Sequence, residues 1–173
     1  SGTGPFFKVK KLCEEISKNS VSTTLLCTSQ VKKLFRTVSF ENNIRIVEVP
    51  DLFLGKYRQG FGMWNAINRI LFLIKEDFDV IHAIDCRPAV IFSSLFKKYI
   101  SNTSLVISWY DYFSREGTIK DRSGKLYNYT FGFLEEYFNS RFRLFADHSI
   151  AISSFLSDKL EELGVNKNNI DKI

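Results

Sequence analysis

The sequence predicts a three-layer α/β fold, in which a parallel sheet is covered by helices on both faces. Three observations predict it. Stretches of helical period alternate with short β-rich runs along the whole chain. The clearest runs, Val80-Ile81 and Leu105-Val106-Ile107, are unbroken apolar stretches, as strands buried on both faces require. The length of 173 residues, 45% of them hydrophobic and 25% charged, suits one soluble domain with a core rather than two.

The elements follow in order. Residues 6–18 have helical period, with Phe6, Val9, Leu12, Cys13 and Ile16 on one stripe. Residues 21–27 form a short strand, 31–38 a weak helix or loop, and 44–49 a strand stopped by Pro50. A loop over 51–62 is rich in Gly and aromatics. A helix over 63–75 places Trp64, Ile67, Ile70, Leu71 and Ile74 on its apolar side. A strand over 78–84 precedes a helix over 88–100, whose Pro88 sits in the first turn, where a missing N–H costs nothing. Residues 105–109 are a strand, 111–124 a polar loop and 125–145 a long helix. Its aromatic stripe of Tyr127, Phe131, Leu134, Tyr137 and Phe138 reads as core packing. A strand over 149–152 leads to a helix over 154–163 closed by Gly164, and 170–173 opens a further strand. No internal repeat or low-complexity segment interrupts the alternation.

The net charge of +5 is spread over scattered Lys and Arg rather than gathered on one face, which argues against a nucleic-acid partner. Attraction to an anionic membrane surface is the better use of such a charge. The three cysteines, Cys13, Cys27 and Cys86, are odd in number and include no CxxC pair. Neither a disulfide framework nor a zinc site is indicated, and the thiols suit a reducing compartment. The longest apolar run, 70–74, is far too short to cross a bilayer.

In open parallel sheets the ligand crevice lies beyond the carboxyl ends of the strands. Polar residues collect at four such places: His82 with Asp85, Tyr110 with Asp111, Ser153 with Ser154, and the turn Ser1-Gly2-Thr3-Gly4 before the first helix. The fold predicts that all four share one rim. Each has a plainer reading. His82 could be a core histidine satisfied by a neighbour. Asp85 could cap the helix that follows, Asp111 could open a turn, and Ser153 could be an N-cap. His148, at a helix-to-strand junction, reads as a solvated surface residue. The opening turn could present N–H groups to an anion, but Phe7 breaks the dinucleotide fingerprint and no GK[ST] follows. A Ser–His–Asp triad is poorly supported, since no G-x-S-x-G occurs. Arg115, Arg122 and Lys125 flank the second long loop and could meet a phosphate, and the apolar residues of the 51–62 loop suit a binding or lipid-dipping element.

The order of these motifs resembles the N-terminal half of retaining nucleotide-sugar glycosyltransferases of the GT-B architecture, family 4 (group 1). A glycine turn opens the first helix, "DFDVIHAID" comes mid-chain, a strand ends in "SWYDY", and the chain closes through "ADHSIAISSFLSDKLEELGV". The resemblance implies a Rossmann-like N-terminal domain over 1–165, with its first strand upstream of Ser1. Residues 166–173 would then begin the connection to a C-terminal donor-binding domain outside the chain. It implies a nucleotide-sugar donor, a sugar or lipid-linked acceptor, and no metal or other cofactor. By position, Gly2, Thr3 and Gly4 would face the donor phosphates, and His82 would approach the donor sugar with Asp85 beside it. Asp111, Tyr110 and Arg115 would line the acceptor side. Ile84 and Tyr110 depart from the pattern, standing where many members carry histidine. The resemblance further implies a cytoplasmic enzyme of polysaccharide synthesis, working at the inner face of the membrane. The competing reading is a stand-alone Rossmann-like binding or interaction module without catalysis. A nucleotide-sugar epimerase ranks behind both, because two histidines are few for its acid–base work.

Overall fold

The computed structural model describes residues 3–31, 34–52, 62–84, 86–110 and 136–173. They divide into two compact units, Ser1–Arg69 and Ile70–Ile173.

The first unit opens with α1 (Thr3–Ser17), which starts three residues earlier than the hydrophobic period predicts. It is followed by β1 (Thr23–Thr28), β2 (Thr37–Glu41) and β3 (Ile44–Val49). The sheet order is β1-β3-β2. β1 and β3 run parallel, with Leu25 opposite Ile46. β2 and β3 run antiparallel, with Val38 opposite Val47. The antiparallel β2 is an addition to the expected parallel pairing, and the segment read as helix or loop over 31–38 gives way to strand at Thr37 and Val38. The cause is local: Asn42 and Asn43 both have positive φ, 47° and 63°, as a two-residue hairpin turn requires. Asn tolerates that region because its short polar side chain bonds locally. Phe6, Val9 and Cys13 of α1 pack on the core of Leu25, Ile44 and Ile46, as the helical stripe predicts. Leu12 and Ile16, at the edge of that stripe, stay partly exposed.

Helix α2 (Met63–Ile74) begins in the first unit and ends in the second. Its predicted apolar side is not its buried side. Trp64, Ile67, Leu71 and Ile74 are exposed, whereas Asn65, Arg69, Phe72 and Leu73 are buried. The reason is polar. Asn65 Nδ2 donates to the Pro50 carbonyl at 2.9 Å, just past the end of β3. Arg69 donates to Asn65 Oδ1 at 2.8 Å, to the Leu26 carbonyl at 3.3 Å and to Thr28 Oγ1 at 3.1 Å. These bonds satisfy main-chain groups at the carboxyl ends of β1 and β3, and they fix which face of the helix points inward.

The second unit holds β4 (Val80–Ala83), α3 (Pro88–Ser101), β5 (Ser104–Trp109), a helical segment over 136–141 running into a 3₁₀ turn (Phe142–Phe145), β6 (His148–Ala151), α4 (Ser154–Leu163) and β7 (Ile170–Lys172). The strands pair in the order β4-β5-β6-β7, every pair parallel. One face carries Ala83, Leu105 and Ile107, packed with Ile91 and Leu95 of α3 and with Phe142. The same face continues into Trp109 and Ala151, packed with Leu156 and Leu160 of α4. Phe92, Phe138 and Phe142 extend this core: the rings of Phe138 and Phe142 stack 5.0 Å apart, and Phe92 meets both edge-on.

The helix termini follow their chemistry. Pro88 occupies the first turn of α3. Ser153 caps α4, its Oγ accepting the Leu156 N–H at 3.3 Å, and Gly164 ends that helix with φ 101°. The aromatic loop over 53–61, the polar loop and the first half of the predicted 125–145 helix lie outside the described residues. No described helix is long and apolar enough to cross a membrane.

Candidate functional site

Because β4 through β7 are all parallel, their carboxyl ends lie on one rim of the second unit. Three of the four predicted positions belong to strands of this rim: His82 in β4, Tyr110 directly after β5, and Ser153 after β6. Asp85, Asp111, Arg115 and Gly2 lie outside the described residues. Thr3 and Gly4 lie in the first turn of α1, in the other unit, rather than in a turn before the helix.

His82 is the third residue of β4 and pairs with Val106. It points away from α3 and α4, because its neighbours Ile81 and Ala83 pack toward them. Its Nε2 lies 2.6 Å from Ser108 Oγ. Ser108 is two residues beyond Val106, so the ring leans along the sheet toward the carboxyl rim. Burial lowers the His82 pKa below the usual histidine value, since a charged ring would lose hydration there. The imidazole is therefore neutral at ordinary pH.

The peptide that carries Ser108 is itself held. Arg143, 2% exposed, donates from Nη1 to the Ser108 carbonyl at 3.1 Å. Its guanidinium lies 4.3 Å from the centre of the Trp109 ring. It also donates from Nε to the Asn139 carbonyl and from Nη2 to Asn139 Oδ1, both at 2.7 Å. A rigid planar fork can serve one carbonyl, one amide oxygen and one aromatic face together, which a lysine could not. The line Asn139–Arg143–Ser108–His82 thus joins the helical segment to the rim of the sheet. Sequence reasoning missed Arg143, Asn139 and Ser108. The available signal was the cation within the apolar run Phe142-Arg143-Leu144-Phe145, four residues after an amide.

His148, read as a surface residue, keeps about a third of its side chain exposed. It lies on β6 opposite Val106, on the same face as His82, so Val106 has a histidine on either side. Two strand spacings put the two rings about 10 Å apart. His148 Nε2 is 2.7 Å from Asp171 Oδ2 on β7. Tyr110 is partly exposed at the mouth of β5. Among the described residues, no group of three or more His, Cys, Asp or Glu is gathered as a metal would need.

The arrangement can present a neutral, oriented imidazole and a tyrosine at the carboxyl rim of a parallel sheet. That is equipment for orienting a polar ligand and placing partial charge, more than for strong acid–base chemistry. The family model for Glycosyltransferase Family 4 matches residues 9–173, nearly the whole chain, including the strand of His82 and the "ADHSIAISS" strand. No curated protein matches the chain. The parallel α/β unit, the motif order and a match of that extent together place this chain in glycosyltransferase family 4.

Proposed function

We propose that these residues form the acceptor-side, Rossmann-like half of a retaining transferase. It would move a sugar from a nucleotide-sugar donor to a glycan or lipid-linked acceptor, with the donor-binding half outside the 173 residues. The observation that carries this reading is the neutral His82 ring tethered to Ser108 beside the carboxyl rim, in a chain of this family. In such a reaction the bond between the anomeric carbon and the nucleotide's phosphate oxygen breaks, and the acceptor hydroxyl supplies the new oxygen and gives its proton to the departing phosphate. Positive charge develops on the sugar ring as the old bond lengthens. A protonated histidine beside that charge would oppose it, whereas a neutral ring can hold a sugar oxygen without repulsion. Burial of His82 supplies that neutrality.

The remaining roles follow position. Asp85 would stand beside the sugar, Asp111 and Tyr110 would orient the acceptor hydroxyl, and Arg115 would meet an acceptor phosphate. Gly2, Thr3 and Gly4 would offer main-chain N–H groups to the donor diphosphate. Positioning would account for most of the rate, since the residues named supply orientation and no strong nucleophile. A cytoplasmic enzyme serving polysaccharide synthesis at a membrane surface fits this reading.

The test is to incubate the full-length natural protein with a panel of nucleotide sugars, with and without candidate acceptors. Released nucleoside diphosphate and the configuration of the new linkage are the readouts. Acceptor-dependent release with retained configuration supports the reading. Neither binding nor turnover of any nucleotide sugar would leave a binding module as the better account.

A further inference from the structure

The hydroxyl of Ser108 decides which nitrogen of His82 carries the proton. Ser108 is 1% exposed, and its Oγ makes one hydrogen bond, to His82 Nε2 at 2.6 Å. Two arrangements are open to this pair. If the ring carried its proton on Nε2 and donated to Oγ, the hydroxyl hydrogen would be buried with no acceptor. If the hydroxyl donates to Nε2, a lone pair on Oγ goes unused and the ring proton sits on Nδ1, which is not among the buried side-chain atoms left without a partner and is open to water. Buried donors without partners are rarer and costlier than acceptors with spare capacity. The second arrangement wins, and the single proton of the neutral ring must then sit on Nδ1. This is the opposite of the form an isolated histidine side chain favours in water.

We propose that Ser108 is a positioning residue: it holds His82 as the Nδ1–H tautomer, so that the ring presents a hydrogen-bond donor, not a base, to an oxygen of the bound sugar or acceptor. The use of that donor rests on the site reading given above; the tautomer does not. No other hydrogen bond reaches the ring among the described residues, so Nδ1 is left for a ligand. The main chain from which the hydroxyl reaches His82 is itself held. Arg143 pins the Ser108 carbonyl, its guanidinium stacks on Trp109, and Asn139 holds the guanidinium from the far side.

The experiment is long-range ¹H–¹⁵N correlation on the full-length natural protein labelled with ¹⁵N-histidine, with His82→Gln used to assign the signal. The expected spectrum shows His82 protonated on Nδ1. In Ser108→Ala the proton should move to Nε2, and Ser108→Thr, which keeps the hydroxyl, should restore the original pattern. Steady-state kinetics should follow: Ser108→Ala should lower kcat by about tenfold or more with KM little changed, and Ser108→Thr should recover it. A wild-type ring protonated on Nε2 overturns the proposal by itself, so the test stands even if Ser108→Ala does not fold. A tautomer unchanged in a folded Ser108→Ala also overturns it. A tautomer that follows Ser108 while kcat does not upholds the ring assignment and overturns the site reading instead.

Discussion

Asp147 takes both main-chain groups of Leu105. Its carboxylate Oδ2 accepts the Leu105 N–H at 2.8 Å, and its own N–H donates to the Leu105 carbonyl at 2.9 Å. Lys98, from the end of α3, reaches the other carboxylate oxygen at 2.5 Å and the Phe145 carbonyl at 2.9 Å. The acid of the "ADHSIA" motif is thus a structural clamp: it sets where β6 begins against β5 before any ligand is considered.

That clamp has a testable pH signature. Burial pushes the Asp147 carboxyl up, but the bonds from Lys98 and Leu105 outweigh it, and the pKa falls below its usual value. A carboxylate with a depressed folded-state pKa contributes stability above its unfolded pKa, about 3.9, and loses it as pH falls further. Asp147→Asn, which keeps an acceptor for Leu105 but loses the charge, should cost no more than about 1 kcal/mol at neutral pH and flatten the loss below pH 4. Asp147→Ala removes both functions and should cost about 1–2 kcal/mol. Urea unfolding of both variants across pH checks the order and the sign.

His82 should set a second, higher window. Its folded-state pKa lies below the unfolded value of about 6.5, so the unfolded chain binds the extra proton first. Stability from the neutral ring is complete above that value and is lost as pH falls toward the folded pKa. Acidifying the protein from pH 6.5 should therefore weaken it, and His82→Gln should remove that part of the slope. Thermal melts from pH 7.5 to pH 5 provide the comparison.

Arg143 should be among the costliest polar side chains to remove. Arg143→Met would leave the carbonyls of Ser108 and Asn139 and the Asn139 side chain without their donor, at about 2–4 kcal/mol. Arg143→Lys should recover little, because a single ammonium cannot reproduce the fork over Trp109. Asn139→Ala and Arg143→Ala combined should cost less than their sum, because they break the same bonds. Denaturation midpoints for the full cycle measure that coupling.

Helix α2 offers a contrast between two faces of one element. Phe72 is 2% exposed, its ring 6.1 Å from that of Phe78, and Phe72→Ala should cost about 3–5 kcal/mol. Ile67→Gln, on the exposed stripe, should change stability by no more than about 0.5 kcal/mol. Chemical denaturation that ranked the two substitutions the other way would show that the buried face is misassigned.

The faces of α2 also show where sequence reading ran out. A run of Trp64, Ile67, Leu71 and Ile74 at helical spacing dominates any periodicity argument. The buried side was chosen instead by Asn65 and Arg69, whose partners are main-chain groups of distant strands, and no local pattern records those. The hairpin of β2 and β3 was legible in Asn42-Asn43 and in the alternation of Val38 and Phe40 with Thr37, Ser39 and Glu41, although β2 is exposed along its whole length. Pro88, Ser153 and Gly164 were read correctly because cap chemistry is local. His82 was found through its place in an apolar strand. Ser108 and Arg143 were not, because their partners lie 26 and 35 residues away in the chain.

The central claim, that His82 serves sugar transfer rather than the core, is tested most directly by the kcat of His82→Ala in the full-length natural protein, measured beside its melting temperature. The account predicts a fall in kcat of about a hundredfold with only a modest change in melting temperature. A variant that keeps kcat within about twofold, whatever its melting temperature, would contradict it and return His82 to the core.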